Sequence, residues 1–178
     1  LVNKKKISEK NEAFIRGTRG TIMLIKGITD EDFINYKVPS MYIATATCSF
    51  KCDKEYGKPI CQNSGLVHQP SIEICEDDIV ERYIRNPITK AIVFGGLEPM
   101  DQYQCILWIL ASLRSVDDDV VIYRGYNKNE IDYMIPLFQA YKNVVIKFGR
   151  YIPNQQPHYD PVLGVYLASD NQYAERIS

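Results

Sequence analysis

Three short apolar runs, Ala91–Phe94 (AIVF), Asp119–Tyr123 (DVVIY) and Val144–Phe148 (VVIKF), constrain the fold most, because helical patterns separate them. Runs this short and this uniformly apolar read as strands covered on both faces. Consecutive buried strands with a helix between them are joined as parallel crossovers. The spacing predicts an α/β protein with a mostly parallel sheet. Asp77–Arg85 places Ile79, Val80, Tyr83 and Ile84 at helical spacing, and Asp101–Leu113 is apolar enough to be a buried helix. A third helix is expected from Asn127, where Glu130 completes a capping-box pattern. Its stripe would be Ile131, Met134, Ile135, Phe138 and Tyr141, with a kink at Pro136. Thr21–Lys26 and Met41–Thr47 read as earlier strands. Cys48 to Pro70 has no period, and a stretch that long is read as a functional loop. From Gly149 onward the chain reads as irregular, apart from an apolar piece at Val162–Ala168.

The 178 residues suit one domain, with 1–40 as an N-terminal strand and lead-in and 41–178 as a core carrying the loop 48–66. A closed eight-fold barrel takes about 250 residues, so a partial (β/α) barrel is expected. Ligands in such sheets sit at the carboxyl ends of the strands. Those ends carry Cys48, Gly95-Gly96, Arg124-Gly125-Tyr126 and Gly149-Arg150.

Charge and hydropathy remove whole classes. With 21 Lys plus Arg against 22 Asp plus Glu, the chain lacks the basic excess of a non-specific nucleic-acid binder. The longest apolar run, Ile106–Ala111, is far short of the ~20 residues of a membrane span. Lys4-Lys5-Lys6 leads into a polar stretch rather than the apolar core of a signal peptide. Five cysteines are few and odd in number for a disulfide scaffold. The reading is a cytoplasmic protein with no nucleic-acid or membrane partner.

Three of the five cysteines, Cys48, Cys52 and Cys61, fall in one polar loop with spacing C-x3-C-x8-C. Thiolates gathered this way suit an iron–sulfur cluster or zinc. A closed zinc site would need a fourth ligand, with Cys75 or His68 as candidates. The plainer alternative is ordinary small residues or a labile disulfide. Cys75 and Cys105 read as packing residues, and His68 and His158 as loop residues.

The strand followed by a three-cysteine loop, and then FGGLEP at Phe94–Pro99, resembles the radical S-adenosylmethionine superfamily. IYRGYNKNEI (Ile122–Ile131), IKFGRY (Ile146–Tyr151) and LASDNQ (Leu167–Gln172) narrow the likeness to the activating proteins of anaerobic ribonucleoside-triphosphate reductase. The likeness runs from about Met41 to the end. Three features depart from the superfamily pattern. Six extra residues precede the third cysteine, Ile60 stands where an aromatic residue usually contacts adenine, and Leu97 is inserted in the Gly-Gly-Glu-Pro motif.

The resemblance implies a partial barrel of the radical S-adenosylmethionine type. It implies a 4Fe–4S cluster on Cys48, Cys52 and Cys61, and S-adenosylmethionine contacts from Ile60, Gly95, Gly96, Glu98, Pro99, Arg124, Tyr126 and Lys147. The activity implied is reductive cleavage to a 5′-deoxyadenosyl radical, which generates a glycyl radical on the large reductase subunit. An electron donor such as flavodoxin or ferredoxin is implied with it. Asn171 and Gln172 would line the cleft or form a C-terminal turn. Two alternatives stand: a small enzyme of the superfamily acting on a free metabolite, like 7-carboxy-7-deazaguanine synthase, and a non-catalytic zinc-bound interaction module.

Overall fold

A computed structural model describes residues 21–178, so the expected lead-in over 1–20, with its lysine run, lies outside the described residues. The elements in chain order are β1 (Ile22–Asp32), β2 (Ser40–Thr45), α1 (Lys51–Tyr56), a 3₁₀ turn (Ser64–His68), β3 (Ile72–Cys75) and α2 (Glu76–Arg85). Then follow β4 (Ala91–Gly96), a 3₁₀ turn (Pro99–Gln102), α3 (Tyr103–Ser112), β5 (Asp119–Tyr123) and a 3₁₀ turn (Lys128–Glu130). The chain ends with α4 (Ile135–Gln139), β6 (Val144–Phe148), β7 (His158–Asp160), β8 (Val165–Leu167) and β9 (Tyr173–Arg176).

Seven strands form one open mixed sheet in the order β3-β1-β2-β4-β5-β6-β9, and β7 and β8 form a separate hairpin. The sheet does not close into a barrel. The pairs β2–β4, β4–β5 and β5–β6 are parallel, whereas β1–β2, β1–β3 and β6–β9 are antiparallel. The expectation of a mostly parallel sheet therefore holds for the centre and fails at both edges. β1 joins β2, and β6 joins β9, through connections that contain no helix, and such connections allow the chain to reverse.

The central strands are buried on both faces, as their composition requires, but the two faces are covered differently. On one face Met41, Ile43, Ile92, Phe94, Val120, Ile122, Ile146 and Phe148 pack against Ile79, Val80 and Tyr83 of α2, Ile106 and Ile109 of α3, and Phe138 of α4. On the other face Ala91, Val93, Val121 and Val145 meet Tyr36, Leu163, Leu167 and Ala174, which come from loops and short strands rather than helices. Side chains two apart in a strand share a face. Continuing from Val93, Val121 and Val145 therefore places Gly95, Tyr123 and Lys147 on this second face, beyond its apolar cover.

Two helical expectations change in detail. The segment after Asn127 keeps its capping box, with Glu130 as the partner, but forms a 3₁₀ turn followed by the separate short α4. Pro136 lies in the first turn of α4, where a missing N–H costs nothing, so it starts a helix instead of kinking one. The stretch from Cys48 to Pro70, read as a loop, contains α1 and a 3₁₀ turn.

Candidate cofactor site

β2 ends at Thr45 and delivers Cys48 to the carboxyl end of the sheet. Phe50 adopts a left-handed conformation (φ 51°) that turns the chain into α1, and its N–H donates to the Cys48 sulfur at 3.2 Å. Left-handed Gly57 (φ 72°) ends the helix after Tyr56. The longer spacing before the third cysteine is absorbed by a tie that the sequence did not reveal. Asp53 Oδ1 accepts from the backbone N–H groups of Ile60 (2.8 Å) and Cys61 (2.9 Å), folding the extra residues back over α1.

Cys48, Cys52 and Cys61 then line one cavity of about 320 Å³. Burial pushes the Cys48 thiol up to about 11 and the Cys52 thiol up to about 12, and the nearby Cys61 adds to both. Cys75 flanks the start of α2, and Cys105 lies in α3 within 3.9 Å of Thr21. Neither of these cysteines lines the cavity, and His68 is exposed in its 3₁₀ turn. Among the described residues no three His, Cys, Asp or Glu side chains meet closely enough to hold a single metal ion. A second cavity of about 390 Å³, lined by Tyr83, Asp118, Val120 and Lys142, contains none of the three cysteines.

The opposite wall is the end of β4. Gly95 and Gly96 line the cavity, and their carbonyls accept from Thr45 Oγ1 (2.9 Å) and Asn63 Nδ2 (2.6 Å) respectively. Pairing with the continuation of β2 persists past the sheet, through Leu97 N–H to the Thr45 carbonyl (3.2 Å) and Glu98 N–H to the Thr47 carbonyl (2.7 Å). Gly96 has φ +80°, and a Cβ there would lie 2.9 Å from Ala44 Cα and from Thr45 N. At Gly95 a Cβ would lie 2.6 Å from the Tyr42 hydroxyl. The close approach that demands glycine at both positions is therefore already made by β2. Gly96→Ala is expected to lower stability by roughly 2 kcal/mol or more in urea unfolding. Unchanged stability would mean that the space at Gly96 is not taken up by β2.

Glu98 is buried, and both carboxylate oxygens are engaged. Oε1 accepts from Met100 N–H at 3.1 Å, and Oε2 accepts from Gly125 N–H at 2.9 Å. It thus clamps the loop after β4 to the loop after β5. Burial raises its carboxyl to about 7 against the lowering effect of those two bonds. Pro99 is buried at the start of the 3₁₀ turn and does not line the cavity.

Two buried cations face the same cavity. Arg124, 2% exposed, stacks at 4.0 Å on the Phe148 ring and donates Nη1 to the carbonyls of Tyr126 (3.0 Å) and Asn127 (3.4 Å). Its Nε and Nη2 are buried without a hydrogen-bond partner among the described residues. Desolvation lowers it to about 10. The Lys147 amine donates to the carbonyls of Gly149 (2.6 Å) and Arg124 (3.4 Å), and burial lowers it to about 7.

The C-terminal segment closes this side. Gln172 Nε2 donates to the Gly149 carbonyl (3.3 Å), and Asn171 Nδ2 donates to that of Arg150 (2.8 Å). Leu167, Ala168 and Gln172 line the cavity. Tyr126 lines an adjoining small pocket with Cys48, Cys52 and Arg150, whereas Ile60 is half-buried and lines neither. Tyr42, Asn63 and Tyr123 also line the main cavity without having been singled out in the sequence. The alternation along β5 already places Tyr123, but Asn63 arrives through a loop that no period describes.

No protein-family model, curated protein or solved structure matches the chain.

Proposed function

We propose that the chain is a radical S-adenosylmethionine enzyme, and within that class a glycyl-radical activating protein of the kind that serves anaerobic ribonucleoside-triphosphate reductase. One observation carries the reading. Cys48, Cys52 and Cys61, the Gly95-Gly96 turn, Arg124, Lys147, and Leu167, Ala168 and Gln172 come from distant parts of the chain and line one cavity at the carboxyl end of the parallel strands. The open sheet, with three parallel pairings at its centre, supports a partial barrel of the type this reading expects.

The donor set fits a 4Fe–4S cluster. Three soft thiols surround one cavity, and among the described residues neither another cysteine nor a histidine lines it. A single zinc ion would need four donors within about 2.3 Å, which this arrangement does not bring together. Cys48, Cys52 and Cys61 would hold the cluster, and when bound it would supply the one-electron chemistry for reductive cleavage of S-adenosylmethionine and hydrogen abstraction from a glycine.

This chain's own residues bind and orient. The unpartnered donors of Arg124 and the Lys147 amine favour a ligand carboxylate, because a desolvated cation that only feels Glu98 at a distance gains from direct hydrogen bonds to another carboxylate. Glu98 does not have to reach the ligand to matter, since it holds the two loops that frame the cavity. Tyr42, Tyr123 and Leu167 line the cavity beside the glycine turn. The partner in this reading is the large glycyl-radical subunit, the reductant a flavodoxin or ferredoxin, and the compartment the cytoplasm.

Reductant, S-adenosylmethionine and the large subunit are expected to give a persistent glycyl radical in paramagnetic resonance, absent when the acceptor glycine is alanine. Cleavage of S-adenosylmethionine without that signal, together with turnover of a purine-like small molecule, would transfer the reading to a metabolite substrate.

A further inference from the structure

The helix that carries Cys52 has nothing apolar to hold it. α1 is six residues long and buries no side chain, and a helix this short has little stability of its own. Its position over the cavity depends on polar ties. One is the Asp53 bond to the returning loop, which is local. The other reaches across the molecule to Glu130, at the end of the capping box after β5. Glu130 Oε1 accepts from Lys51 Nζ at 2.9 Å and from Arg150 Nη2 at 2.6 Å, while Oε2 accepts from Asn127 N–H at 2.8 Å. Arg150 also reaches Glu55 at 3.4 Å, so both flanks of α1 are tied to the end of β6 through one guanidinium. The Tyr126 ring lies beneath, 5.1 Å from the Lys51 amine and 6.0 Å from the Arg150 guanidinium.

We infer that Glu130 is a positioning residue: with Lys51 and Arg150 it forms an ionic latch that holds the Cys52 helix over the cavity. The network is worth more than an exposed pair because Arg150 and Glu130 are only 9% and 22% exposed, and one carboxylate serves three donors. Release of the latch frees α1 and Cys52 while leaving the sheet and its core intact, because the helix contributes nothing to that core. The role of Cys52 as a ligand rests on the reading above, but the position of its helix does not.

The test uses the full-length, iron-free chain and reads the alkylation rate of each cysteine by N-ethylmaleimide and peptide mass mapping. In Glu130→Gln and in Lys51→Ala, Cys52 is expected to react about fivefold faster than in wild type, with buried Cys105 unchanged. Lys51 is half-exposed, so its replacement removes the direct tie between α1 and Glu130 without touching the core. Raising salt to molar levels should bring wild type toward the variants, since the ties are ionic. An unchanged Cys52 rate in both variants, or Cys52 and Cys105 accelerating together, overturns the latch. Either result is obtained whether or not the protein takes up iron, so a failure here is separable from a failure of the cluster reading.

Discussion

Replacing Cys48, Cys52 or Cys61 with alanine is expected to abolish cluster assembly and every activity that depends on it, while Cys75→Ala and Cys105→Ala keep wild-type iron and sulfide. The argument rests on placement. The first three thiols line one cavity although the outer two are thirteen positions apart along a polar stretch. The other two lie at the start of α2 and inside α3, away from that cavity. With only three thiols lining the cavity among the described residues, loss of one leaves a cluster two protein ligands, too few to hold it against exchange with solvent. Iron and sulfide per chain, measured after anaerobic reconstitution of all five variants, gives the result. Full iron in Cys61→Ala with loss in Cys75→Ala would place the third ligand elsewhere.

The second large effect concerns the buried amine of Lys147 in β6, whose desolvation outweighs the attraction of nearby Glu98. Lys147 titrates near 7 in the folded chain and near 10.5 when unfolded, because burial disfavours its charged form. Below pH 7 both states carry the proton and the burial penalty is felt in full. Between 7 and 10.5 the unfolded chain binds the extra proton, so stability rises with pH, by up to about 1.4 kcal/mol per unit. Glu98 acts in the opposite sense, since its carboxyl is raised from 4.5 to about 7. Between those values the folded state holds the extra proton, so this group makes stability fall as pH rises.

Together the two groups put a minimum in the stability of the ligand-free protein near neutral pH. Lys147→Met is expected to be more stable than wild type at pH 7 by about 1–2 kcal/mol, and to lose the rise above it. The gain is net of the two carbonyl bonds that the amine makes, one of which Gln172 retains at Gly149. Urea unfolding from pH 6 to 10 tests this. Parallel curves for variant and wild type would show that Lys147 is not an uncompensated charge.

The sequence read best where burial was most complete. β5 and β6 match their apolar runs residue for residue, because strands covered on both faces need nearly continuous apolar sequence. β3, β7, β8 and β9 escaped notice because they are short and half-exposed, with pairing partners supplied by the rest of the fold. Within the site, the cysteines, the glycine pair, Arg124 and Lys147 were legible because the thiols cluster in sequence and the rest sit at strand ends. Asp53 and Glu130 were not legible as site residues. One acts on backbone groups seven and eight positions away, and the other on side chains brought close only by the sheet. Ile60 and Pro99 were named by resemblance, but both lie outside the cavity, because the added loop and the turn after Glu98 carry them aside.

The most direct test of the central claim is the metal and the product in one anaerobic preparation. Reconstituted protein should be brown, hold about four irons per chain, and release 5′-deoxyadenosine from S-adenosylmethionine when reduced. A colourless protein that binds one zinc and leaves S-adenosylmethionine intact would contradict it.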